Sequence, residues 1–180
     1  MTYGPKDIAN AFRTVRKNTI TIAEEIPEEK YGFQATPQTR TVAQTLAHIA
    51  TSTRMPLIIH KEPRVKDFAG FDFFAVYGPI MADEQKPRTK AELIALLDSE
   101  GEKFASWLES VDDAFLAEIV TWPPNVQPNS KSRFEMLLGP KEHEMHHRGQ
   151  LMVLQRMTGG TPHLTRQMEE RRAQMMAARK

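Results

Sequence analysis

Apolar residues recur at steps of three and four along most of the chain, which is the spacing of one face of an α-helix. Near the N-terminus this pattern predicts a first helix over residues 5–26. Pro5 stands where the first turn of a helix tolerates proline, and Pro27 ends the pattern. We expect a loop to follow, pinned to the core by Tyr31 and Phe33.

Capping boxes predict where three further helices begin. In such a box a Ser or Thr side chain and a Glu or Gln three residues later satisfy free backbone N–H groups. The boxes open at Thr41, Thr89 and Ser132, and the apolar stripes behind them end near residues 59, 111 and 158. Pro56 should kink the helix that opens at Thr41 or end it early. Hardly any segment alternates as a strand would, so the sequence predicts an all-α bundle of four main helices.

Three segments lie outside these helices. Residues 60–88 combine prolines, glycines and aromatic residues, and we predict an irregular segment that forms a lid or a pocket wall. Residues 112–120 are expected to add a short helix before the turn-rich connection TWPPNVQPNS. Residues 163–180 are charged and helix-prone, typical of a frayed tail or one docked on a partner. The predicted organisation is therefore one bundle over residues 1–162 followed by this tail.

Composition excludes several classes of function. The 180 residues include 24 basic and 23 acidic side chains, which leaves no broad electrostatic footprint for nucleic acid. No apolar run approaches the roughly 18 to 20 residues that a membrane span needs. The N-terminus lacks an apolar signal core, so we expect a cytoplasmic protein. The absence of cysteine rules out disulfides, thiolate nucleophiles and sulfur ligands, so a metal site would need nitrogen and oxygen ligands.

Two histidines share one face of the predicted fourth helix. His143 and His147 are four residues apart, so their side chains lie one turn above the other, roughly 5–6 Å apart at Cβ. From there both rings can turn a nitrogen toward one ion at roughly 2.0–2.1 Å. The same face carries three residues typical of a core, Met136, Leu154 and Met157. A satisfied core histidine beside a half-exposed one is the alternative, but burying two imidazoles without partners is costly, which favours a metal.

The remaining histidines supply candidates for a third ligand. His48, in QTLAHIA on the second helix, is the best candidate, and a partly exposed surface histidine is the alternative. His146 points about 100° away from His147 around the helix, so we place it at the edge of a pocket. His60 and His163 stand beside prolines and are predicted to lie at the surface. Gln150, one turn beyond His147, could orient a ligand or a bound water.

The residues on the other faces of the fourth helix lead to two further predictions. Lys141, Glu144 and Arg148 lie away from the histidines, where we expect solvent, and Glu142 and Glu144 therefore point away from any metal. A second apolar stripe runs opposite the histidines, through Phe134, Leu138, Met145 and Met152. A helix that is apolar on two faces is central in a bundle or docked on another subunit. We favour a homodimer, and packing against the first helix or the tail is the alternative.

The segments TVAQTLAHIA and EHEMHHRGQLMVLQRMTG resemble the DinB/YfiT-like family of metal-dependent enzymes, and IPEEKYGFQATPQTR is similar to its stretch between helices one and two. The likeness covers roughly residues 5–162. It implies an up-down-down-up four-helix bundle, usually a homodimer, with one divalent ion in a three-histidine site. On this sequence the implied ligands are His48, His143 and His147, and His146 matches an additional histidine common in the family.

The resemblance also implies an open site of the kind that suits catalysis. Three imidazoles leave coordination positions for water or substrate, so the ion can lower the pKa of a bound water or thiol, or polarise a carbonyl. Relatives include thiol-dependent transferases and isomerases, and the family is also described as hydrolytic. Since this chain has no cysteine, thiol chemistry would need a low-molecular-weight thiol as cosubstrate.

The functional prediction is therefore a thiol-dependent S-transferase or a hydrolase that acts on a small molecule. Three imidazoles suit zinc or nickel, and iron, manganese or copper are further candidates. A non-catalytic metal-binding or stress-response module is the alternative. Nucleic-acid binding is not expected, because acidic residues dilute the basic tail.

Overall fold

The structure, a computed structural model, describes residues 3–179. Its helices and strands follow in the order α1 (Pro5–Glu25), α2 (Val42–Thr51), α3 (Arg54–His60), α4 (Phe73–Glu84), α5 (Lys90–Glu109), α6 (Asp113–Ala117), β1 (Ile119–Thr121), β2 (Ser130–Ser132), α7 (Arg133–Met157) and α8 (His163–Ala177). The predicted four-helix bundle is confirmed. Its members are α1, α2 with its continuation α3, α5 and α7, and both α1 and α2 pack against α5 and α7. The helices α1 and α2 thus occupy opposite corners of the bundle, and so do α5 and α7.

The predicted helix starts form as the capping boxes require. Thr41 Oγ1 accepts a hydrogen bond from the Gln44 backbone N–H, and Gln44 Oε1 accepts one from the N–H of Thr41. Thr89 and Glu92 make the same reciprocal pair at the start of α5. At α7, Ser132 Oγ accepts from the N–H of Glu135. These side chains satisfy donors that the first helical turn leaves free.

The second predicted helix divides into α2 and α3 just before Pro56. Proline has no N–H to donate to the carbonyl of Ser52, and its ring crowds that carbonyl. The helix therefore ends at Thr51 and restarts at Arg54.

The prediction that residues 60–88 are irregular throughout was wrong. Helix α4 occupies Phe73–Glu84, and the Asp72 carboxylate caps its start by accepting from the N–H of Ala75 at 2.9 Å. Gly78 and Pro79 lie inside the helix, and their usual role as helix breakers concealed it in the sequence. The antiparallel pair β1 and β2 was also not predicted, since strands of three residues are too short to show alternation.

A buried ion pair links all four bundle helices. Arg16 of α1 donates through Nε to both carboxylate oxygens of Glu144 on α7, at 3.0 Å. Its other nitrogens donate to the backbone carbonyls of Leu97 on α5 and Ile49 on α2. Glu144, which we predicted to face solvent, is fully buried. The prediction failed because α7 packs against both α1 and α2, so that more than one face of this helix is covered.

The C-terminal segment forms the helix α8, which projects most of its residues into solvent. His163 at its start is buried, and Arg166 pairs with Glu25 of α1. Among the described helices, none combines the length and the apolar character needed to cross a membrane.

Candidate metal centre

The three predicted ligands meet where α2 packs against α7. His143 Nε2 lies 3.1 Å from His48 Nε2 and 3.2 Å from His147 Nε2. His48 and His147 are buried, and His143 is half-buried. The structure thus brings His48 together with the histidine pair of α7, and that the three bind a metal stays a prediction.

Hydrogen bonds behind the rings determine which nitrogens carry protons. His48 Nδ1 lies 3.0 Å from a carboxylate oxygen of Glu84, and an ionised carboxylate only accepts, so Nδ1 must donate. His147 Nδ1 lies 2.8 Å from Oε1 of Gln150, which also only accepts. Both rings are therefore protonated on Nδ1 when neutral. Their Nε2 atoms present bare lone pairs to the centre of the cluster.

The three Nε2 atoms have too few protons to form hydrogen bonds with one another. The Nε2 of His143 can hold one proton and donate it to one neighbour, so at least one other pair of nitrogens would meet lone pair to lone pair. A cation among the three nitrogens removes that conflict. Around an ion bound at roughly 2.1 Å, ligand nitrogens lie about 3.0 Å apart in octahedral and about 3.4 Å apart in tetrahedral geometry. The observed 3.1 and 3.2 Å fall between these values, so the residues fit a divalent metal.

The surroundings favour the neutral form of His143 and His147, which is the form that binds metals. Burial, followed by the neighbouring His147 and His48, lowers the pKa of His143 to about 4. Burial also lowers the pKa of His147, although its hydrogen bond to Gln150 opposes the shift. The cluster is therefore ready to accept a cation at neutral pH.

Glu84 is the site residue that sequence reasoning missed. Its carboxylate, on the last turn of α4, is buried and accepts from Thr51 Oγ1 at 3.0 Å as well as from His48. Such outer partners orient metal-binding histidines and raise their basicity. The signal that could have found it is Asp72, a helix-capping residue directly before the run FFAVYGPIMADE.

The other histidines lie apart from the cluster. His146 is exposed at its edge and accepts from the side-chain amide of Gln150 at 3.1 Å. The prediction that His60 and His163 lie at the surface was wrong, because both are buried. His60 Nδ1 accepts from Arg133 at 2.7 Å and its ring stacks on Trp107, while His163 lies 3.3 Å from Asn18 Oδ1. His60 is the last residue of α3 and His163 the first of α8, and the neighbouring prolines did not predict that these helix ends lie against the bundle.

Two cavities lie near the cluster along the groove between α2 and α7, and the second has more polar groups in its lining than the first, although apolar side chains such as Val153 and Leu154 also line it. The apolar cavity, of about 300 Å³, is bordered by His48 and His143 and extends toward α3, α4 and the first turns of α7. The polar groove, of about 700 Å³, lies toward the start of α2 and the last turns of α7. Arg40 and Gln150 line this groove, together with Thr45. The three histidines therefore lie near both a largely apolar space and one that offers a cation and hydrogen-bonding groups.

Comparisons with known proteins agree with this architecture. A family model described as the DinB superfamily matches residues 11–151. No curated protein matches the chain.

Three solved structures have a similar fold. A DinB-like protein of Bacillus subtilis is 23% identical with a TM-score of 0.62, covering 86% of this chain and 93% of its own. A DinB-like protein of Bacillus cereus is 18% identical with a TM-score of 0.66, covering 90% and 97%. YfiT of Bacillus subtilis, described as a probable metal-dependent hydrolase with an unusual four-helix bundle topology, is 15% identical with a TM-score of 0.62, covering 87% and 89%. At these sequence identities, the structural similarity establishes a shared fold and nothing more.

Proposed function

The chain belongs to the DinB superfamily, and from this premise we propose that it is a divalent-metal-dependent enzyme acting on a small molecule. One observation carries the proposal: three histidine Nε2 atoms converge, and the hydrogen bonds behind two of the rings leave lone pairs facing inward. YfiT, a relative in fold, is described as a probable metal-dependent hydrolase, which supports the same class. The ligands in this proposal are His48, His143 and His147.

The chemistry needs both the ion and the side chains around it. When bound, a divalent ion would act as a Lewis acid, which lowers the pKa of a coordinated water or thiol and polarises a carbonyl. Glu84 holds the ring of His48 in one tautomer and orientation, and Gln150 does the same for His147. With only three protein ligands, coordination positions remain for a reactant, which suits catalysis.

Two cavities near one centre favour a reaction between two organic molecules over hydrolysis, in which the second reactant is water. A hydrolase needs one organic substrate and water, whereas a transferase must hold a donor and an acceptor together. Arg40 and Gln150 suit a polar, anionic cosubstrate, while the apolar cavity suits the other reactant. We therefore prefer a thiol-dependent S-transferase, with hydrolysis as the second candidate. The thiol must come from a cosubstrate, because the chain has no cysteine.

The transfer step balances without an oxidant or a reductant. The thiol releases its proton to solvent water, its sulfur forms a bond to the electrophilic carbon, and the leaving group departs with the electron pair of its former bond. Such thiols are kept reduced in the cytoplasm, which is the compartment we propose. Mass spectrometry of the metal-loaded protein with bacillithiol or mycothiol and an alkyl electrophile would detect the S-alkyl product. Ester hydrolysis by the same preparation, without thiol consumption, would favour the second candidate.

Elemental analysis of the purified protein, without an affinity tag, tests the metal centre directly. We expect about one divalent ion per chain in the wild type and none in the His143→Ala/His147→Ala double variant. His146→Ala is the matched control, since it removes a neighbouring exposed histidine and should leave the ion bound. A wild type that takes up no metal after reconstitution would reject the proposal. The result would also identify zinc, nickel, iron or manganese as the ion.

The alternative function is a non-catalytic module in which the ion only supports the fold. Removing the metal separates the two, because a structural ion holds the chain together while a catalytic ion leaves most of the fold intact. The apolar core is built on residues remote from metal ligation, such as Phe12, Phe104 and Leu108. We therefore expect the metal-free protein to keep its helical circular dichroism, and unfolding on chelation would favour the module.

We also propose that two copies pair through α7. Of the predicted apolar stripe, Phe134, Leu138 and Met152 pack against the core and Met145 is exposed. Val153 and Met157, outside that stripe, also leave about half of their side chains exposed along this helix. Exposed apolar patches often mark surfaces that a partner covers. Light scattering should give a dimeric mass for the wild type and a monomeric mass for Val153→Glu. Met175→Glu, at an equally exposed position on α8, should remain dimeric.

A further inference from the structure

The apolar cavity beside the histidine cluster has walls from four helical segments. Its apolar lining comes from Met55 and Ile59 of α3, Tyr77 and Ile80 of α4, and Met136 and Pro140 of α7. His48 and His143 form the end of the cavity nearest the cluster. A molecule in the cavity therefore meets the candidate ligands at one end and apolar side chains elsewhere.

Several of the polar groups that also line this cavity are engaged with the protein. Glu84 accepts from His48 and Thr51, and His60 accepts from Arg133. Ser52 donates its hydroxyl proton to the carbonyl of Ile49 at 2.8 Å. Tyr77 lies at the partly exposed rim. What remains for a bound molecule is a mainly apolar surface, which recognises hydrocarbon and excludes water.

The size of the cavity limits what can fill it. An apolar cavity of about 150 Å³ holds one benzene molecule. The volume of about 300 Å³ therefore accommodates on the order of ten carbon atoms.

We propose that the substrate has an apolar body of about ten carbon atoms, which fills this cavity and presents a polar reactive group to the histidine cluster. This inference rests on the proposed metal-dependent function and adds the class of substrate. Met55 of α3 and Met136 of α7, both half-buried, line the cavity from two different helices.

A series of straight-chain hydroxamates tests the inference by binding. The hydroxamate group chelates zinc, so acetohydroxamate reports on the metal centre alone and longer members also enter the cavity. We expect Kd for the zinc-loaded protein to fall about fourfold for each added methylene until the cavity is full, near a chain of about ten carbons. Isothermal titration calorimetry would measure each Kd.

Variants with a larger side chain in the apolar cavity test whether the alkyl chain of the hydroxamate binds there. Met136→Trp and, from another helix, Met55→Trp should bind acetohydroxamate like the wild type but gain little from longer chains. Gln38→Trp, which places the same side chain in the polar groove, should keep the full gain. Using two filling variants keeps the test valid if one of them fails to fold.

The outcomes separate the inference from the function on which it rests. Acetohydroxamate binding without any gain for longer chains would overturn the inference and leave the metal centre intact. If longer hydroxamates still bound more tightly to both filling variants, their alkyl chain would bind outside the apolar cavity. That result would also overturn the inference. Zinc-loaded protein that binds no hydroxamate at all would reject the open metal centre, and the inference with it.

Discussion

The carboxylate of Glu84, on the last turn of α4, accepts a hydrogen bond at 3.0 Å from Nδ1 of His48 on α2. It connects a helix outside the four-helix bundle to His48, the candidate ligand that is distant in sequence from the histidine pair on α7. Thr51 Oγ1, one turn after His48, donates to the same oxygen at 3.0 Å. The carboxylate is therefore fixed from two sides and can hold the imidazole ring in one tautomer.

Replacing Glu84 should weaken metal binding without removing a ligand. Loss of such an outer partner typically costs about tenfold to a hundredfold in metal affinity. We expect Glu84→Ala to lower the metal affinity by an amount near the upper end of this range. Glu84→Gln should cause a loss near the lower end, because its amide oxygen can still accept from His48. Competition with a chromogenic chelator would measure the affinity.

The matched control is Glu142→Gln, which changes an exposed carboxylate beside His143 in sequence. It should leave the affinity unchanged. Equal affinities for the wild type and Glu84→Ala would show that the contact with His48 does not tune the site.

The sequence predicted the histidine cluster because its signal is local. Two histidines four apart on an apolar helix face must lie together, and His48 stood among small apolar neighbours on another helix. Glu84 gave no such signal, since its role depends on how α4 folds back onto α2, which the pattern of one helix does not contain. The resemblance to a family supplied the pairing of His48 with α7, which periodicity alone left open.

The four bundle helices were predictable for a similar reason, because capping boxes and apolar stripes act within a few residues. Burial of polar residues was not, since it depends on partners from other helices. Glu144 is buried because Arg16, 128 residues earlier, meets it inside the bundle. His60 is buried because Arg133 donates to it across 73 residues.

Breaking the Arg16–Glu144 pair should strongly destabilise the bundle. Removing one partner of a buried pair leaves an uncompensated charge and typically costs about 3–5 kcal/mol. We expect Arg16→Ala to lower the free energy of unfolding by about that amount, measured by urea denaturation of the metal-free protein. The Arg16→Met/Glu144→Leu double variant should recover much of the loss, because it removes both charges while keeping the volume.

Arg13 provides the control from the same helix. It pairs with Glu102 and Glu109 on α5, but at the exposed surface. Solvent screens such pairs, so Arg13→Ala should cost far less than Arg16→Ala. Similar losses for the two variants would contradict the role assigned to the buried pair.

Gly101 of α5 leaves the space that the side chain of Arg16 occupies. A Cβ at this position would lie 2.9 Å from Cγ and 3.2 Å from Nη1 of Arg16, whose guanidinium Glu144 holds in place. Gly→Ala inside a helix ordinarily stabilises by about 1 kcal/mol. Here we expect Gly101→Ala to destabilise by about 1–3 kcal/mol, as overpacking does in other cores. Thermal unfolding would show a lowered Tm.

Gly149→Ala on α7 is the comparison, since a Cβ there meets nothing within 4 Å. That variant should raise the Tm. A rise for Gly101→Ala as well would mean that Arg16 can move aside at little cost.

His60 should make stability fall as the solution becomes acidic. Burial, and secondarily the charge of Arg133, lowers the pKa of His60 from 6.5 to about 3. Below pH 6.5 the unfolded chain takes up a proton at this residue while the folded chain does not, so acid favours unfolding until about pH 3. At pH 5 the contribution of this one residue is about 2 kcal/mol relative to neutral pH. The window from pH 6.5 to 5 lies above the range in which ordinary carboxylates titrate.

The variant His60→Asn isolates this contribution. Asparagine does not titrate, and its side-chain oxygen can still accept from Arg133, so the variant should lose less stability between pH 6.5 and 5 than the wild type. Urea denaturation with a chelator present would give the free energy of unfolding at each pH. His146→Asn, which removes an exposed histidine, should retain the steeper wild-type dependence. If His60→Asn were as steep as the wild type, the buried ring would have to be protonated in the folded protein, and the contact with Arg133 could not form as observed.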